Sequence, residues 1–448
     1  MESKTNLRRE KRMHTSRPLA FIVLALVTVL GLTFSACGSQ QPAAQSSAQP
    51  SASAKSSAQP SASASASAQP SQSAAPKAPA TPVKVGVLLG LSGPVGPVGN
   101  QQLMGTQIAI EEINKAGGIL GRQVELVIRD DGGDPTKSRT TAEELVEKEK
   151  VAFIIGPTLS SPAMGVHPYL TEQKVLNLTS AAAEAATDPV KFPYAFTVSP
   201  HNGFIGKTIF DYAVNSLKLT KIALLSESTA LGKEAQGILK PLFEAKGITP
   251  VVQDEYAVGA LDYAPQLNKA RSAGADGLIV WSGNSTDMVR FMKNLQSMGW
   301  DVPVLSTSNL ADSAVVQGVG ADGLKKAYAQ SHRPITFSAS SPLSQKTIDF
   351  REKVRAKLNG ENPIKTSILN VTSFYDGVSL VKAAADKAGS LDTLKLKASM
   401  ESFNQWPGVY ATWTFTPTVH KPLGDDDGTM VLAATCKDAV CEKAPNAP

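Results

Sequence analysis

The chain is poor in the residues and spacings that mark enzymes and cofactor carriers. Three cysteines and five histidines occur in 448 residues. Cys436 and Cys441 form a C-x4-C pair near the C-terminus, where a metal site would need two further ligands and none lies nearby. The stretch Gly93-Pro94-Val95-Gly96-Pro97-Val98-Gly99 sits where a dinucleotide fingerprint belongs, between a strand and a helix, but has no G-x-G core. Gly206-Lys207-Thr208 has the ending of a P-loop, yet the required first glycine falls at His201. Neither Ser92 nor Ser160 stands in G-x-S-x-G, and His167 and His201 are each a lone histidine, which reads as structural or solvated. With no nucleophile–base pair and no cofactor motif, the sequence does not read as an enzyme, and no cofactor or metal is expected.

Long apolar runs are equally scarce. One begins at Leu19 and ends at Phe34, behind Lys4, Arg8, Arg9, Lys11, Arg12 and Arg17 with only Glu2 and Glu10 against them. About sixteen apolar residues are short of the roughly twenty that span a bilayer, and a polar tract follows, so 1–36 reads as a secretory signal. Its six positive and two negative charges account for four of the formal +5. The remainder is near neutral, so no nucleic-acid partner is expected. Phe34-Ser35-Ala36-Cys37-Gly38 resembles a bacterial lipobox, with Phe34 where Leu is usual. The resemblance implies lipidation at Cys37 and anchoring to the outer face of the cell membrane. Cys436 and Cys441 would then face an oxidising compartment, where a disulfide across a tight turn is expected.

Residues 37–81 are nearly all Ser, Ala, Gln and Pro, with SSAQPSASA at 46–54 repeated at 56–64. Such a segment has too little apolar surface to offset backbone entropy and reads as a disordered tether.

The texture changes at Val83. VKVGVLLG is followed by further β-branched runs, VELVIRD, VAFIIG, KVLNL, YAFTV, KIALLS, VVQDEY, DGLIVW and PVLSTS. Amphipathic stretches at 101–116, 135–149, 203–217, 231–245 and 284–297 separate them. Strands alternating with helices at this spacing predict parallel sheets covered on both faces. Ligands of such sheets sit beyond the carboxyl ends of the strands, which points to loops 91–100, 156–161, 179–183, 226–231, 281–285 and 306–309. Six such loops suit an α/β protein of two doubly wound lobes that close on a ligand between them.

Within these loops, Gly156-Pro157-Thr158-Leu159-Ser160-Ser161-Pro162 offers hydroxyls and free backbone N–H groups at a helix start, a place that favours a carboxylate. The competing reading is that Ser160 or Ser161 only caps the helix. Asp130, Asp131 and Asp134, and Asp425, Asp426 and Asp427, lack calcium-loop spacing and read as solvated turn carboxylates.

The LSGP loop at 91–94, Gly156 to Ser160-Ser161, LTSAAA at 178–183, FPYAFTVSP at 192–200, SFYDG at 373–377 and the W-T-F-T-P-T-x-H segment ending at His420 resemble the periplasmic branched-chain amino acid binding family of ABC importers. The resemblance covers the whole folded module. It implies a type I periplasmic binding fold whose chain crosses between lobes near residues 200, 331 and 415. The lobes would be 82–200 with 332–415, and 201–331 with 416–436, leaving 437–448 as a tail. It also implies a small-molecule ligand, permease and ATPase partners, and a module expected to act as a monomer.

By the same resemblance Ser160, Ser161 and the backbone of Ala181, Ala182 and Ala183 would hold a ligand carboxylate, with Val98 against its side chain. Ala183 lacks a hydroxyl usual in the family. Leu231 replaces an aromatic, Gly283 stands about where a tyrosine is found, and Ser308 replaces the glutamate that neutralises the ligand ammonium. Enclosing an ammonium without that carboxylate is costly. Trp281, Asn284, Asn309 and Asn370 are a set able to bind neutral polar groups, with core packing as the alternative role of Trp281. Three ligand classes therefore stand: a branched-chain amino acid, an aromatic or short organic acid without an α-amino group, and an amide. A ligand sensor reporting to a receptor is the competing role.

Overall fold

The computed structural model describes residues 81–421 and 427–448. The expectations for the signal, Cys37, the tether to residue 80, Asp425 and Asp426 lie outside them.

Two sheets carry the fold. In the first, β1 (Val83–Leu89), β2 (Val124–Asp130), β3 (Ile154–Ile155), β4 (Asn177–Thr179) and β5 (Ala195–Thr197) run in the order β2-β1-β3-β4-β5, every pair parallel. In the second, β6 (Ile222–Glu227), β7 (Val252–Tyr256), β8 (Gly277–Trp281), β9 (Val304–Ser306) and β10 (Ala327–His332) are parallel, in the order β10-β9-β8-β6-β7. Small pairings come from β11 (Thr336–Phe337), β12 (Trp406–Pro407) and β13 (Thr412–Trp413). β12 and β13 pair antiparallel, and within the two main sheets one strand departs from the all-parallel expectation. β14 (Gly428–Leu432) caps the edge of the second sheet antiparallel to β10, as a strand arriving from the other lobe by a direct return can do.

Helices α1 (Gly96–Lys115), α2 (Pro135–Glu143) and α3 (Ser160–Glu172) connect the first strands, and α4 (Asn202–Asp211) leads into the second sheet. There α5 (Ala230–Ala245), α6 (Ala264–Ser272), α7 (Ser285–Ser297) and α8 (Ser313–Val319) follow successive strands. The chain then returns, and α9 (Gln345–Lys357), α10 (Ile368–Ala388) and α11 (Thr393–Met400) complete the first core around Phe350, Val371 and Leu396. α1 and α10 touch backbone to backbone: a Cβ on Gly105 would lie 2.0 Å from the Val371 carbonyl oxygen.

Alternation along the strands sorts side chains between faces. Ala223, Leu225, Leu278 and Val280 enter one core of the second sheet, while Ile222, Leu224, Ile279 and Trp281 enter the other. In the first sheet Val83, Val85, Val87 and Leu89 share the large core, and Leu88, Val127 and Ile154 face the opposite side.

The last residues do not trail away as a tail. β15 (Cys441–Glu442) pairs with β11, and Ala444 is buried, its N–H donating to the Met430 carbonyl at 2.8 Å. Cys436 and Cys441 form a disulfide. No helix among the described residues is long and apolar enough to cross a membrane.

Candidate functional site

Beyond the ends of β1, β3 and β4, one hydrogen-bond network sets the first-lobe loops. Asp130 accepts the backbone N–H groups of Leu91 at 2.7 Å and Gly132 at 2.8 Å. Partial burial alone would raise its pKa, but bonds from Ser92, Gly132 and Leu91 hold the carboxyl down at about 2. Thr158 accepts from Gly90 N–H and donates to Gln102, whose amide donates to Ser180 at 2.9 Å. Thus Asp130 is an organiser of the first loop, and Asp131 is fully buried on Ser138; neither is a merely solvated carboxylate.

Ser160 opens α3, and no side chain caps that helix: its N-cap is Leu159. The cap reading of Ser160 and Ser161 therefore does not hold. Ser161 is exposed, and Ser160 is part-buried, its oxygen accepting the N–H groups of Ala182 and Ala183, both at 3.2 Å. The structure brings together one hydroxyl, two loosely held N–H groups and an uncapped helix N-terminus, a setting suited to a carboxylate. Ala181 N–H is turned away, bonded to Thr179 at 3.0 Å. Val98 lies exposed in the first turn of α1.

Across the second sheet, Glu227 ends the fully buried β6 and is 4% exposed. Its carboxylate accepts the Gly283 N–H at 2.6 Å and the Thr229 hydroxyl. No lysine, arginine or histidine pairs with it among the described residues. Gly283 is exposed, and a Cβ there would meet a Glu227 oxygen at 3.1 Å and Leu231 at 3.0 Å. Leu231, Gly283 and a buried unpaired carboxylate thus share one spot at the strand ends. The sequence signal for Glu227 is an acid closing an apolar run, a place where charge is rarely left without purpose.

Of the neutral polar set, Asn284 and Asn309 meet at Ser282, while Trp281 faces away from them. Trp281 is fully buried, with its ring edge against α4 at Gly206, so it belongs to the core behind the sheet. Asn284 caps α7, accepting Asp287 N–H at 2.8 Å and donating to the Asp287 carboxylate at 2.9 Å. Asn309 donates to the Ser282 carbonyl at 3.0 Å, and Asn370 donates to Gln101 at 2.8 Å. Ser308 is part-buried and lines a cavity together with Ala311 and Val316. His167 is buried on Asn177, and burial lowers its pKa to about 4; His201 caps α4. No cluster of His, Cys, Asp or Glu able to hold a metal occurs among the described residues.

Residues 82–432 match the family model described as periplasmic binding protein. The chain belongs to that family. Among curated proteins, this binding protein is 27% identical over 312 residues to a Leu/Ile/Val-binding protein homolog of Brucella melitensis, covering 69% of this chain and 80% of the relative. It is 25% identical to the Leu/Ile/Val-binding protein BraC3 of Rhizobium johnstonii, covering 71% and 82%. Among solved structures, an ABC transporter substrate-binding protein from Sphaerobacter thermophilus superposes with a TM-score of 0.68 at 26% identity, covering 78% of this chain and 92% of that one. A branched-chain amino acid transporter substrate-binding protein from Streptococcus pneumoniae, solved with isoleucine, gives 0.69 at 24% identity, covering 82% and 100%. The expected fold is the observed one, and the family's work is solute binding outside the cytoplasm.

Proposed function

We propose that this binding protein captures a small apolar α-amino acid between its lobes and delivers it to the permease and ATPase of an ABC importer, without turning it over. The names of its relatives support amino-acid binding. The lipobox-like sequence at Cys37 supports a lipid anchor, and the 37–81 segment supports a tether.

The observation that carries the ligand class is Glu227. The solute carboxylate goes to Ser160 and Ser161, with Ala182 and Ala183 beside it, at the start of α3. The ammonium goes to Glu227, which takes over the charge that Ser308 cannot supply. A buried carboxylate with two hydrogen-bond donors and no cation is incompletely compensated, and a ligand ammonium completes it. An amide ligand is less well supported, because Asn284, Asn309 and Asn370 each direct one side-chain N–H to a neighbour.

The test is a calorimetric titration with leucine and with 4-methyl-2-oxopentanoate, its deaminated keto analogue. Leucine should bind, and the keto acid at least about 100-fold more weakly, since an unpaired buried charge costs about 3–5 kcal/mol. Glu227→Gln should remove most of that discrimination. Tight binding of the keto acid by the unaltered protein would reject the ammonium reading and make the solute an organic acid.

A further inference from the structure

Where an α-helix of this fold opens on Ser, Thr, Asp or Asn, that side chain caps it, with one exception. Asp134, Asn284, Asp312, Ser344, Ser367 and Asp392 each accept a backbone N–H of the helix they open. Thr229, at the start of α5, is the exception among the described residues. It has the extended backbone of a cap residue, yet its side chain accepts no helix N–H. Its hydroxyl donates instead to the Glu227 carboxylate, two residues earlier.

The turn is built for this exchange. The first turn of α5 rests directly on the end of β6, since a Cβ on Gly232 would lie 1.7 Å from the Glu227 carbonyl oxygen. Thr229 is thereby held at the surface with Glu227 buried beside it. An exposed hydroxyl has water as an alternative partner, so the bond matters to the buried carboxylate more than to the threonine. Thr229 takes one carboxylate oxygen and the Gly283 N–H takes the other. Each oxygen can accept a second bond, and an ammonium carries three donors to supply them.

We infer that Thr229 is a positioning residue for the solute ammonium: by giving its hydroxyl to Glu227 rather than to α5, it fixes the carboxylate in the orientation that the ammonium meets. This role rests on the ammonium reading proposed above and adds to it a residue that acts through Glu227. The missing cap is then a loss of helix stability accepted for the sake of the site.

A double-mutant cycle read by calorimetric titration of leucine into the purified protein tests this role. Thr229→Val keeps the shape of the side chain and removes the hydroxyl. It should weaken leucine binding about tenfold or more, the size expected for a hydrogen bond to a charged group. Thr229→Ser, which restores the hydroxyl, should bind leucine within about threefold of the unaltered protein. In a Glu227→Gln background, Thr229→Val should change leucine affinity by less than about twofold, because the group it acts through is gone. Equal weakening in both backgrounds would make Thr229 a merely structural residue and overturn its positioning role. So would full leucine affinity in Thr229→Val when Glu227→Gln has lost it, and either result leaves the ammonium reading standing. Leucine binding undiminished by Glu227→Gln rejects the ammonium reading, and the role of Thr229 with it.

Discussion

Trp281 and Glu227 end neighbouring strands, yet one points into the core and the other stops beneath the exposed Gly283. The difference is a matter of register. In β8 the even and odd positions face opposite cores, and Trp281 falls on the side covered by α4 and α5. Trp281→Phe should therefore lower stability by about 1–3 kcal/mol, seen in urea unfolding, while solute affinity stays within threefold. A loss of affinity without loss of stability would return the ring to the site. The sequence alone left this residue between two roles because a strand end is where both are available. It missed Glu227 because the apolar run KIALLS ends one residue earlier, and nothing in composition says that the strand continues.

At the scale of elements, most of the alternating pattern was legible: each apolar run named from the sequence became a strand in one of the two sheets. Two connections were not. β14 could not be seen because Gly428–Leu432 reads as apolar only in part, and its partner is nearly a hundred residues earlier. The other is the meeting of the SFYDG and W-T-F motifs. Asp376 is buried and accepts the N–H groups of Val409 and Tyr410, each at 2.8 Å, and the Trp413 indole at 2.9 Å. Complete burial pushes its carboxyl up to about 6 despite these donors. A pKa above the unfolded value means that this group's stabilisation is full below about pH 4 and is lost as pH rises through 6. Compared with Asp376→Asn, the unaltered protein should lose stability between pH 4 and 6.5 in thermal melts. A constant difference across that range would contradict the assignment.

For the molecule as a whole, what joins the lobes matters more than what fills them. Asp438 sits in the disulfide loop and reaches into the first lobe, accepting Ile364 N–H at 2.8 Å and pairing with Arg355 at 2.9 Å and with Arg351. Burial works against its charge, but these partners hold its pKa below the usual carboxylate value. Meanwhile Cys436 and Cys441 pack on the core of the second lobe. Asp438→Ala should cost about 2 kcal/mol in urea unfolding, as expected for lost hydrogen bonds to a charged group.

That loop has a practical consequence for anyone making the protein. Its disulfide forms in an oxidising compartment and is kept open in a reducing one. Recombinant material harvested from a host cytoplasm would carry the same chain with that fastening undone. Affinities measured on it would describe a looser receptor than the exported one, and the two preparations should be told apart by thiol titration before any ligand is ranked.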